Sequence, residues 1–86
     1  MNYRRSKYEI VSEILKLSNH YEGVNITKIV YSANLNFKNA QKMISELVKS
    51  GLLEVLNGGE KKRFRTTKKG LEFIENYDNL ASVQHF

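Results

Sequence analysis

Between Asn57 and Gly70 the chain gathers Lys61, Lys62, Arg63, Arg65, Lys68 and Lys69 against one acid, Glu60. That stretch carries +5, equal to the excess of the whole chain, and an acidic segment with Glu72, Glu75 and Asp78 follows it. A basic patch bounded by acidic surface is the electrostatic footprint of a phosphate-binding surface, although a solvated charged hairpin would carry the same run. A second polar set, Lys38, Asn39, Gln41, Lys42 and Ser45, lies on one face of a segment whose other face is apolar. Asparagine and glutamine amides can pair bidentately with adenine, and lysine suits guanine or phosphate. Nothing comparable points to catalysis. His20 and His85 occur in a loop and at the tail of a chain without cysteine, which excludes a disulfide framework and a Cys-based zinc site. Gly58-Gly59 joins two strands rather than a strand to a helix, so it is no phosphate cradle. The sequence therefore leads to no enzyme, cofactor, metal or small-molecule ligand.

The elements that must present these residues follow from periodicity and punctuation. Residues 36–50 read as a helix. Asn36 caps its start, and Ala40, Met43, Ile44, Leu47 and Val48 form one stripe. Gly51 closes it in the left-handed conformation, with Leu52 folding back onto the last apolar turn. Upstream, Ser6-Lys7-Tyr8-Glu9 has the form of a capping box and opens a helix over 6–18, with Ile10, Val11, Ile14, Leu15 and Leu17 inward. Gly23 supplies an unusual backbone angle in the loop after it, and Val24 adds a residue or two of edge strand. A short helix over 26–33 is capped by Asn25 or Thr27 and buries Ile26, Ile29, Val30 and Ala33, with Lys28, Tyr31 and Ser32 outward. Asn34-Leu35-Asn36 makes the tight turn, with Leu35 as a buried pivot. Two helices so joined form a helix-turn-helix.

After Gly51 come strands at 52–57 and 63–66, the second alternating Phe64 and Thr66 against Arg63 and Arg65. Residues 57–62, with Gly58-Gly59, carry the strongest turn signal in the chain. Three helices followed by a basic-tipped hairpin make a winged helix, mainly α with a small β-hairpin. Thr67 caps a fourth helix over 68–82, whose Lys68 and Lys69 oppose the helix dipole and so suggest a phosphate contact. Leu71 and Ile74 are expected to pack on the domain. Phe73, Tyr77, Leu80 and Gln84 follow a short heptad seam that favours a second subunit, the alternative being that Phe73 and Tyr77 fold back over the first helix.

Eighty-six residues make one small domain, which buries only about 60% of its unfolded surface and gains from a partner subunit. With 41% hydrophobic and 27% charged residues the composition is that of a globular protein. No apolar run approaches the ~20 residues of a membrane span, and the basic arm Met1–Arg5 leads into no signal-like stretch, so a cytoplasmic protein is expected.

Four stretches carry a resemblance. They are Glu9-Ile10-Val11 with Ile14-Leu15, Ile26-Thr27-Lys28-Ile29-Val30-Tyr31 to Ala33-Asn34-Leu35, Leu47-Val48-Lys49-Ser50-Gly51-Leu52-Leu53, and Arg65-Thr66-Thr67-Lys68-Lys69-Gly70-Leu71-Glu72-Phe73. In these the chain resembles the small winged-helix DNA-binding proteins of archaea and their viruses that dimerise through a C-terminal helix. Its last helix, at about four turns, is shorter than in the coiled-coil members. The resemblance implies a homodimeric, nucleoid-associated binder of double-stranded DNA, a transcription regulator or a chromatin protein. Lys38, Asn39, Gln41, Lys42 and Ser45 would then face bases, and Thr27 and Lys28 would hold the backbone. Lys61, Lys62, Arg63, Arg65 and Lys68 would track phosphates or the minor groove, Arg4 and Arg5 would act as a loose clamp, and Phe73, Tyr77 and Leu80 would join the protomers. The helix over 36–50 carries only +2, which casts it as the reader and the wing as the anchor. A protein-interaction module on the same fold and a sequence-nonspecific architectural protein are the alternatives.

Overall fold

The computed structural model describes residues 5–57 and 61–83, the side chains of 81–83 excepted. Its elements run α1 (Lys7–Leu17), α2 (Ile26–Ser32), α3 (Phe37–Lys49), β1 (Leu53–Asn57), β2 (Lys62–Thr66) and α4 (Lys68–Val83). Four helices and a two-stranded antiparallel hairpin make the winged helix expected from the residue pattern.

Local chemistry sets most of the boundaries. Ser6 and Glu9 form the reciprocal capping box of α1. Asn25 caps α2, its side-chain oxygen accepting from the Lys28 N–H at 2.9 Å, and Asn36 does the same for Asn39 at 2.7 Å on α3. Each such cap is worth about 1 kcal/mol. At the end of α3, Gly51 has φ +79°, its N–H donates to the Val48 carbonyl and the Leu52 N–H to the Leu47 carbonyl. This paired closure turns the chain out of the helix and into β1. Asn34, at φ 54°, ends α2 in the same way, with the Leu35 N–H donating to the Val30 carbonyl. Leu35 is half-buried rather than the fully buried pivot expected.

The core is built from the apolar stripes of three helices and the hairpin root: Val11, Ile14, Leu15, Val24, Ile29, Ala33, Ala40, Ile44, Leu47 and Leu53 are buried. Val24 exchanges both backbone hydrogen bonds with Phe64, at 2.9 and 2.7 Å, and so lies along β2 as a one-residue edge strand. Gly23, before it, has φ +71°, and a Cβ there would stand 2.8 Å from the Phe64 carbonyl oxygen. Only glycine meets both demands. Thr66 ties the hairpin to α1, its hydroxyl donating to the Leu15 carbonyl at 2.6 Å.

The fourth helix divides its apolar residues differently from the expectation. Thr67 caps it, the hydroxyl accepting from the Gly70 N–H at 3.1 Å. Phe73 and Ile74 pack against the core, whereas Leu71 is 41% exposed. Phe73 lines a recess with Tyr8 and Val11 of α1 and Met43 and Leu47 of α3, and Tyr77 stacks on Phe73 with ring centroids 6.4 Å apart. Phe73 therefore belongs to the domain and not to a free seam, the folded-back arrangement of the two alternatives. The reason is reach: an aromatic side chain spans the gap between α1 and α3 that Leu71, on the far side of α4, does not face. Leu80 stays 62% exposed. Gln84, the last position of the expected seam, lies outside the described residues, as do Arg4, His85 and the hairpin tip at Gly58, Gly59 and Glu60.

Candidate nucleic-acid interface

The exposed side of α3 and one face of the hairpin enclose a groove of about 710 Å³. Asn25, Ile26 and Thr27 at the start of α2 close one end. From α3 come Phe37, Gln41, Ile44, Ser45, Val48 and Lys49, and from the hairpin Val55, Lys61, Lys62 and Phe64. The floor is apolar and the rim is lysine; no acid occurs among the described residues that line it.

At 100° per residue, Lys38, Lys42 and Lys49 lie opposite the buried Ala40, Ile44 and Leu47, with Ser45 beside them. Gln41 and Ser45 turn towards the wing and line the groove. Asn39 falls on the other flank, the side of Glu46. That glutamate, the one acid on the outer face of α3, pairs with Lys7 of α1 at 3.5 Å. Thr27 and Lys28 are exposed in the first turn of α2, Thr27 in the groove. Of the five polar residues picked out on α3, then, Gln41 and Ser45 share the groove, Lys38 and Lys42 share the outermost line, and Asn39 stands apart.

The cations of the wing separate into two groups, because alternate residues of a strand face opposite sides. Lys62 shares the groove face with Phe64 and Val55, and Lys61 stands at its rim. Arg63 and Arg65 face away. Arg63 donates from Nε to the Glu22 carbonyl and from Nη2 to the Gly23 carbonyl, both at 2.8 Å. Arg65 donates to the Tyr21 carbonyl at 2.9 Å, forks onto its cross-strand neighbour Glu54 at 3.3 and 3.4 Å, and sits 5.9 Å from the centre of the Tyr21 ring. These guanidinium groups hold the loop before Val24 onto the back of the hairpin. The sequence reading gave both arginines to phosphates; the structure places them against backbone carbonyls some forty residues earlier in the chain.

Two more cations are placed otherwise than expected. Arg5, expected in a loose clamp, donates to the Ala33 carbonyl at 2.6 Å and pairs with Glu13, so it braces α1 against the end of α2. Lys69 reaches the Ser50 carbonyl at 2.9 Å. Unfavourable at the start of α4, it is favourable at the end of α3, where helix carbonyls attract a cation. Lys68 is exposed. Sequence reasoning missed Phe37, which lines the groove at 52% exposure. Its spacing of three residues to Ala40 and seven to Ile44, which puts it on the groove side of the apolar stripe, is the signal that could have found it.

The sequence profile of the winged helix-turn-helix family matches residues 4–85. The chain belongs to that family. It is 29% identical over 83 residues to an uncharacterised protein of Methanocaldococcus jannaschii, MJ0287, covering 96% of this chain and 80% of the relative. Among solved structures it is similar to Sso10a-2, a DNA-binding protein from Sulfolobus solfataricus, with TM-score 0.80, 28% identity, and coverage of 93% of this chain and 82% of that one. AF1382 from Archaeoglobus fulgidus shares the fold at TM-score 0.72 and 17% identity, covering 94% and 92% of the two chains. In winged helix-turn-helix terms, α2 and α3 are the helix-turn-helix and β1–β2 the wing. No helix among the described residues is long and apolar enough to cross a membrane.

Proposed function

We propose that this winged helix-turn-helix protein binds double-stranded DNA as a transcription regulator, with α3 in the major groove and the wing against the neighbouring backbone. The observation that carries the reading is the groove between them, where Gln41, Ser45, Lys49, Lys61 and Lys62 converge with no acid among the described lining residues. The likeness to Sso10a-2, a DNA-binding protein, supports it. On this reading Lys38, Gln41, Lys42 and Ser45 face bases. Lys61, Lys62 and Lys68, with Thr27 and Lys28, hold phosphates, since phosphate contacts position the protein and base contacts specify the sequence. Arg63 and Arg65 shape the wing that does the holding. Such a partner would place the protein with the nucleoid.

The proposed assembly is a homodimer through α4, supported by Leu80, which continues the line of Phe73 and Tyr77 along the helix and stands 62% exposed. Two recognition helices would then span about 34 Å and select a two-fold-related site. A protein-interaction module is the second reading, favoured by the exposed Phe37 at the head of α3 and Tyr31 at 81% exposure on α2. Titration of fluorescent duplexes of several sequences at two salt concentrations decides between them. A spread of affinities between sequences supports a regulator, a uniform and salt-steep response an architectural protein, and no binding to any duplex the interaction module. Light scattering at the same concentration reads the dimer: a mass near the 10.0 kDa of one chain removes it.

A further inference from the structure

Phe37 continues the apolar stripe of α3, falling in angle between Ile44 and Val48, yet unlike the buried Ile44 it is 52% exposed, where that stripe runs out into the groove. Around it lie Ile26, Ile44 and Val48, Val55 and Phe64 across the groove, and lysines on the rim. The rim calls for a polyanion and the mouth for something apolar carried on it. In the major groove of duplex DNA one feature answers both: the 5-methyl group of thymine, the apolar projection among hydrogen-bonding base edges. The N-terminal residues of a helix laid in the groove are those that reach base edges, and Phe37 is the first residue of α3. Resting on the DNA reading above, we infer that Phe37 reads the thymine methyl group and gives this protein a preference for A·T pairs. Gln41 follows four residues later on the same flank, about 6 Å along the axis. Its amide suits adenine, so the two side chains together read neighbouring A·T pairs.

The test needs no knowledge of the natural site. A·T-rich duplexes are made twice, with thymine or with deoxyuridine, which differ by the methyl group alone. G·C-rich duplexes are made with cytosine or 5-methylcytosine. The wild-type protein is expected to bind the thymine duplex about fourfold more tightly than the uridine one for each methyl buried, and to gain on the methylated G·C duplex. Phe37→Ala should bring the thymine-to-uridine ratio to about one and remove the gain on the methylated G·C duplex. Its half-exposed position leaves the melting temperature near that of the wild type. Lys61→Ala/Lys62→Ala should weaken every duplex and keep the thymine-to-uridine ratio. Equal wild-type affinity for thymine and uridine duplexes, with binding otherwise intact, overturns the inference and leaves the DNA reading standing. Failure to bind any duplex overturns both.

Discussion

The two faces of the hairpin each carry two cations, and the two pairs do opposite things. On the face turned to α3, Lys62 and the neighbouring Lys61 border an apolar floor and remain exposed. On the back, Arg63 and Arg65 are tied to three backbone carbonyls and Glu54. Residue type fits the division. A guanidinium offers several donors in a rigid fork and can satisfy two carbonyls at once, whereas an ammonium is a hydrated point charge on a flexible stem. A cation count therefore overstates the positive charge that this wing leaves presented. The +5 of residues 57–70 includes Arg63, Arg65 and Lys69, each engaged within the chain.

The comparison can be broken at its weakest point first. Gly23→Ala forces a β-carbon against the Phe64 carbonyl in a left-handed backbone, at the loop that receives Arg63. It should lower the unfolding free energy by about 3 kcal/mol in urea denaturation. A loss under 1 kcal/mol would mean that this loop is not held as described. Arg63→Ala removes two hydrogen bonds to carbonyls and should cost about 2 kcal/mol in the same measurement. Arg63→Lys should recover only part, and the log–log salt slope of duplex binding should stay unchanged in both.

Lys61→Ala/Lys62→Ala is the mirror experiment. Stability should move by less than about 0.5 kcal/mol, while the salt slope of DNA binding falls by about 1.8, two phosphate contacts' worth. An unchanged slope would end the distinction between presented and anchored cations. The finest test lies in two adjacent residues. Lys69→Ala should cost about 0.5 kcal/mol of stability through the end of α3, and Lys68→Ala should leave stability alone and lower the salt slope by about 0.9.

Much of the fold was legible because its determinants are local. The capping box at Ser6 and Glu9, the caps at Asn25, Asn36 and Thr67, and the left-handed closure at Gly51 involve groups within five residues of each other. The alternation of Arg63 and Arg65 against Phe64 is equally local, and it told correctly that the arginines share a face. It could not tell which face meets α3. Of the candidate site, Gln41, Ser45, Lys61 and Lys62 were legible by type and do share the groove. Asn39 lies on the flank away from the groove, and Phe37 lines the groove with a side chain that polar reasoning passes over.

The sequence by itself determined the order of elements, where each begins and ends, and which stripe of α1, α2 and α3 is apolar, because these follow from steric and hydrogen-bonding preferences within a turn or two. Tertiary structure decided which cations remain presented, since the carbonyls that take Arg63 and Arg65 lie 40 to 44 residues earlier. It also decided that Phe73 packs inward while Leu71 does not, because that choice depends on the gap between α1 and α3 and not on spacing along α4. A long-range partner has no local signature, and so the residues that hold the wing looked, in sequence, like those that present it.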